Sequence, residues 1–152
     1  MSGDGGGSFL RIYLCFDLEH DRDLHDLLIA QAKRLASFAV ASRSEGGAID
    51  DPWLARVRSR IAASDEVVVI CGERTDECRR VSAELKIAQE EKKPYVLLWG
   101  RRDVMCKKPR SARLDDGMYK WTAELLEHQL QHVRRRSRQA HVPEGMKRQA
   151  PS

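Results

Sequence analysis

The apolar run Val67-Val68-Val69-Ile70-Cys71, closed by Gly72, limits what this chain can fold into more than any other segment. Four β-branched residues in succession suit an extended backbone and pack well on a pleated surface. No polar residue alternates through the run, so both of its faces need cover, as in a strand inside a parallel sheet. Parallel neighbours are joined by crossovers of a dozen residues or more, usually helices. The segment Arg80-Val81-Ser82-Ala83-Glu84-Leu85-Lys86-Ile87-Ala88-Gln89 meets that need, with Val81, Leu85 and Ala88 on one helical stripe.

The rest of the chain repeats this alternation. Phe9 to Phe16 reads as a first strand ending at Asp17, and Leu24, Leu27, Leu28 and Leu35 form the stripe of a helix opening near Asp21. Ser37 to Ala41 fits a second strand, and Ser42 to Asp50, with Gly46-Gly47, a mobile loop. Asp51-Pro52 predicts an N-cap and N1 proline for a helix with Leu54, Val57 and Ile61 inward and Arg56, Arg58 and Arg60 outward. Thr75 or Asp76 is the expected cap of the helix bearing Glu84, which should run to about Lys92 before Pro94. Tyr95 to Trp99, stopped by Gly100, reads as the fourth strand. Residues 101–117 read as a polar loop, Met118 to Trp121 as a short edge strand or, almost as well, a helix start, and 122–136 as a last helix with Leu125, Leu126, Leu130 and Val133 inward. Strands separated by single helices predict an α/β flavodoxin-like three-layer sandwich with a five-stranded parallel sheet of order 2-1-3-4-5. Its switch point, between the first and third strands, gathers Phe16, Asp17, Gly72, Glu73 and the Glu84 helix around one crevice, with Glu84 expected in the first helical turn.

At 152 residues, 41% hydrophobic and 33% charged, the chain suits one domain with a proper core. We expect a flexible leader over residues 1–8, the folded domain over 9–134 and a basic disordered tail over 135–152. No apolar stretch exceeds five residues, which excludes a membrane-spanning helix, and the leader lacks the pattern of a secretory signal. The expected location is the cytoplasm. The net charge of +4 arises in the tail: residues 134–152 hold six of the 27 basic residues and one of the 23 acidic ones, and the remaining charges nearly cancel. A core built for specific nucleic-acid binding would carry the positive face itself.

Several side chains could carry chemistry. On spacing alone Glu84 reads as a solvated helix acid, paired with Lys86 or Lys92. Cys15 and Cys71 fall in strands and read as buried thiols, whereas Cys78 and Cys106 lie in polar surroundings near the proposed site and read as inert surface cysteines, with a reactive thiol as the alternative. The four show no metal-binding spacing, and His128 and His132 find no third ligand beside Arg134 to Arg136, so no metal is expected. Asp17-Leu18-Glu19-His20 stands where a tightly held dinucleotide would require glycines, which disfavours hydride transfer. Lys107-Lys108 could meet a phosphate or simply be solvated.

Taken in order, Phe16-Asp17, Asp21-Arg22-Asp23-Leu24, Val68-Val69-Ile70-Cys71-Gly72-Glu73, Val81-Ser82-Ala83-Glu84-Leu85-Lys86-Ile87-Ala88-Gln89-Glu90-Glu91, Lys93-Pro94-Tyr95, Leu97-Leu98-Trp99-Gly100-Arg101, Cys106-Lys107-Lys108-Pro109 and Tyr119-Lys120-Trp121-Thr122 resemble the TIR-like domain family, in particular the TIR proteins of Thoeris anti-phage defence. The resemblance runs from about Arg11 to Leu130 and is weaker over residues 36–50. It implies a domain that consumes NAD+ as a substrate rather than holding it as a cofactor. Catalytic members need a glutamate early in the third helix, and Glu84 matches that position. The family reaction cleaves the nicotinamide–ribose bond, and some members close the ADP-ribose into a cyclic signal read by a partner effector. Self-association through TIR-type contacts is also implied. Phe16, Asp17, Gly72, Glu73, Ser82 and Trp53 become candidate substrate-binding residues: Phe16 as a stacking ring, Ser82 as a cap or ligand contact, Trp53 as a lining of the loop side. For Phe16 and Trp53 plain packing is the alternative. Two rival readings are a non-catalytic interaction module and a receiver-like domain. In the latter Asp17 and Glu19 would imitate the acidic pair, but Cys71-Gly72 occupies the place of the phosphoacceptor.

Overall fold

A computed structural model describes residues 10–35 and 37–127. The leader, the basic tail, His128, His132, Leu130 and Val133 lie outside the described residues. Five strands, β1 (Leu10–Cys15), β2 (Phe38–Arg43), β3 (Glu66–Cys71), β4 (Tyr95–Trp99) and β5 (Met118–Lys120), make one all-parallel sheet of order β2-β1-β3-β4-β5. This is the expected flavodoxin-like order. Helices α1 (Arg22–Leu35), α2 (Asp51–Ala62) and α3 (Arg79–Glu90) supply the crossovers, and residues 123–127 begin a further helix. No helix among the described residues is long and apolar enough to cross a membrane.

Every residue of β3 is buried, as its unbroken apolar run demands. Odd and even positions of the strands feed two cores. Ile12, Leu14, Phe16, Val68, Ile70, Val96 and Leu98 pack with Leu24 and Leu28 of α1 and with Leu126. Tyr13, Cys15, Val67, Val69, Cys71 and Leu97 pack on the other face with Trp53, Val57 and Ile61 of α2 and Val81, Leu85 and Ala88 of α3. A fully buried Val, Leu or Ile side chain contributes roughly 1.5–3 kcal/mol over an exposed one, so these two layers dominate the stability.

The expected helix starts need correction. Asp50, not Asp51, caps α2: its side chain accepts from the Trp53 N–H at 2.9 Å. The cap of α3 is Cys78, which supplies no side-chain bond. Thr75 instead opens a 3₁₀ turn (Thr75–Glu77), and its hydroxyl accepts from the Gly72 N–H at 2.7 Å. The added turn delays α3, so Glu84 is its sixth residue and sits in the second turn rather than the first. Strand β2 also continues to Arg43, two residues beyond the expected end.

Candidate functional site

Glu84 faces the sheet from α3, on the stripe of Val81, Leu85 and Ala88, and has no exposed surface. The solvated surface acid of the spacing argument is thereby excluded. The stripe points inward because these residues fall one helical turn apart, and Glu84 shares their side of the helix. Its Oε2 accepts from the Tyr13 hydroxyl and its Oε1 from the Ser44 hydroxyl, each at 2.7 Å. Burial pushes its pKa up to about 7, because the ionised form loses its water; the hydroxyls of Tyr13 and Ser44, the Cys15 thiol and the positive charge of Arg80 pull the other way. Burial, reinforced by the neighbouring carboxylate, drives the Tyr13 phenol far up, so it remains a donor at every ordinary pH.

Ser44 arrives by an irregularity that no periodicity reveals. Phe38 and Val40 belong to the α1-side core, and an unbroken strand would send Ser44 there too. Between Ile12↔Val40 and Tyr13↔Ser42 the register slips by one, leaving Ala41 as a bulge. The bulge inverts the facing of the residues beyond it and turns Ser44 toward α3. Its hydroxyl then bridges two groups, accepting from the Phe16 N–H at 3.1 Å and donating to Glu84.

The remaining candidates separate. The Phe16 ring packs in the α1-side core and stacks on His25 with centroids 4.7 Å apart, on the sheet face opposite Glu84. Asp17 is buried at the end of β1, where Oδ1 accepts from the Glu19 N–H and Oδ2 from His20. Arg74 donates to the other His20 nitrogen, so Nδ1 carries the proton given to Asp17. Asp17, Glu19 and His20 are the group among the described residues whose ligand atoms lie within 4.8 Å of one another. Internal bonds already occupy both Asp17 oxygens and both ring nitrogens of His20. Glu73 is exposed just past β3. Ser82 serves the 101–117 segment instead: its hydroxyl accepts from the Ser111 N–H and its carbonyl from the Ser111 hydroxyl. Trp53 is fully buried in the α2–α3 core, with its indole N–H given to the Glu45 carbonyl at 3.3 Å. Cys106 is buried, against the surface placement expected, and Cys78 is half-buried; burial raises its thiol pKa. Lys108 spends its ammonium on loop carbonyls, among them Asp116 at 2.8 Å.

Compared with protein-family models and with curated proteins, the chain matches none.

Gly72 is required by contact. A Cβ there would lie 2.2 Å from Asp21 Oδ2. Asp21 is itself buried and held by Arg101, whose Nη2 donates to Oδ1 at 3.1 Å. Gly72→Ala must therefore displace a buried carboxylate at the switch point. We expect a loss of about 1–3 kcal/mol, read as a lower urea midpoint at unchanged slope.

Glu84 also sets a pH dependence. Its folded pKa lies above the ordinary 4.5, so the folded state holds the proton more tightly than the unfolded one. The contribution of Glu84 to stability is therefore complete below about pH 4.5 and declines as pH rises to about 7, by roughly 3 kcal/mol. Urea titrations across that range should show the decline in the parent and its absence in Glu84→Gln.

Proposed function

We infer that the domain is a TIR-like NAD+ glycohydrolase or cyclase, releasing nicotinamide and an ADP-ribose product, open or cyclic, that signals to an effector in bacterial anti-phage defence in the cytoplasm. The observation that carries the reading is one carboxylate, Glu84, fixed beneath the carboxyl edge of a parallel sheet beside its switch point, in surroundings that bring its pKa to about 7. Open α/β sheets bind ligands at that edge. The sequence motifs that resemble TIR-like domains cover most of the chain and put Glu84 at the position of their essential glutamate.

The chemistry asks little else of the protein. Cleaving an N-glycosidic bond builds positive charge on the ribose in an oxocarbenium-like transition state. A preorganised carboxylate in a water-poor site stabilises that charge strongly. It can also hold the sugar through its hydroxyls. Nicotinamide departs from a ring that is already cationic, so no strong general acid is needed. Tyr13 keeps the carboxylate in one rotamer through the reaction.

Incubating the purified chain with NAD+ and separating the products by chromatography tests this. Free nicotinamide together with ADP-ribose or a cyclic product is the expected result. NAD+ left intact, both at high protein concentration and in phage-infected cells, overturns it.

A second reading is a non-catalytic module that works through TIR-type self-association. Two observations favour it: both Glu84 oxygens are already satisfied within the chain, and Met105 and Leu114 stand exposed. Self-association without any NAD+ loss would select it.

A further inference from the structure

Resting on the reading of Glu84 as the group that meets a sugar, we propose that Ser44 is a resident stand-in for a ligand hydroxyl and that Tyr13 is the positioning residue that holds the carboxylate when Ser44 gives way. The two donors stand on unequal supports. Tyr13 lies within β1, which is paired on both sides, by β2 and by β3, and it has no exposed surface. It cannot leave without breaking the sheet. Ser44 is the first residue past β2, at the head of the 44–50 connection to α2.

The backbone at its start is held, by the Ser44 N–H on the Leu14 carbonyl at 2.9 Å and by the Trp53 indole N–H on the Glu45 carbonyl at 3.3 Å. Ser44 therefore gives way by turning its side chain. The residues beyond are tied down more lightly. Arg80 Nη1 donates to the Gly47 carbonyl at 2.9 Å, and Glu45 pairs with Arg56 and Arg60 at the surface. Residues 46–50 are exposed, and Gly47 takes φ 103°, a conformation that other residues rarely adopt.

The ligand class is set by the two groups that Ser44 meets at short range, its third contact, to the Leu14 carbonyl, being 3.5 Å long. Its oxygen accepts from the Phe16 N–H, and its proton goes to Glu84 Oε1. Displacing it leaves a backbone donor and a carboxylate oxygen aimed at one point. A hydroxyl answers both, with a lone pair for the amide and a proton for the carboxylate. With Glu84 ionised, an ammonium group has no lone pair for Phe16, and a carbonyl, carboxylate or phosphate oxygen has no proton for Glu84. The vacated place therefore selects an alcohol, as on a sugar, over cations and anions. Oε2 stays on Tyr13 throughout. The titratable groups around the carboxylate are Tyr13 and Cys15 from β1 and Cys78 and Arg80 from the start of α3, with Arg60 of α2 acting on Tyr13.

ADP-ribose is the probe. Titrated into the full-length chain, labelled with ¹³C and ¹⁵N, it should shift the Phe16 amide and the Glu84 side-chain carboxyl signals. Ser44→Ala removes the internal competitor, so affinity should rise about tenfold, the scale of one hydrogen bond to a charged group. A merely structural serine would give equal or weaker binding on removal. Tyr13→Phe should raise the pH at which the Glu84 carboxyl signal titrates and give no such gain in affinity. Should Ser44→Ala fail to fold, Ser44→Cys, whose thiol is a poor donor, carries the same comparison. ADP-ribose shifting neither signal, or Ser44→Ala binding no tighter than the parent, overturns the proposal. NAD+ turnover in the same samples keeps the two readings apart. Binding as described with no NAD+ loss sinks the glycohydrolase reading and spares the hydroxyl site. NAD+ loss with unimproved binding in Ser44→Ala does the reverse.

Discussion

Glu84→Gln should lower NAD+ consumption about 10²–10³-fold, the usual cost of removing one preorganised electrostatic contact to a transition state. Glutamine keeps the size of the side chain and deletes its charge. Its carbonyl can still accept from one hydroxyl, and its amide can donate to the oxygen of the other, so the Tyr13 and Ser44 contacts can re-form. The buried charge disappears with them, and its desolvation cost at neutral pH disappears too. The variant should therefore be at least as stable as the parent at pH 7.5 while losing turnover. That pairing separates a chemical role from a structural one. Product formation by chromatography and a urea titration on one preparation read both quantities. Full turnover in the variant would remove Glu84 from the chemistry.

Trp53→Ala should cost about 3–5 kcal/mol, the largest single loss expected in this domain. The indole is fully buried among Val57 and Ile61 of its own helix and the α3 residues opposite. Truncation leaves a cavity that the parallel sheet, paired on both sides of β1 and β3, cannot collapse to fill. It also frees the Glu45 carbonyl from the indole N–H at the base of the 44–50 connection. Trp53→Phe keeps most of the packing and should cost markedly less. Chemical denaturation of the two variants beside the parent measures the difference. If alanine and phenylalanine cost the same, the indole N–H rather than the ring is what stabilises this corner.

The parts of the fold that could be read in the sequence are those where one periodic pattern has one solution. The unbroken run in β3 admits little but a central strand, and the stripe in α3 aims Val81, Leu85 and Ala88 at it. Helix starts are harder to read. Asp50, Asp51, Thr75 and Asp76 are all competent caps by type, and only the backbone path decides which one meets an amide. The burial of Cys106 is equally hidden. Its polar neighbours in sequence turn outward, while its thiol accepts from the Arg101 N–H against β4.

The candidate site divides along the same line. Tyr13 leaves a trace in the chain, since a phenol inside an apolar strand needs a partner for its hydroxyl. Ser44 leaves none. A loop serine is ordinary, and its route to Glu84 depends on a single extra residue in β2. The linear pattern set the sheet order and aimed Val81, Leu85 and Ala88 inward, because apolar periodicity specifies which face is buried. Spacing alone left Glu84 a solvated acid, and only the tertiary structure put it under the sheet. The surroundings of that carboxylate came from strand pairing alone. Register and bulges join residues dozens of positions apart, and no local preference encodes where one strand slips against the next.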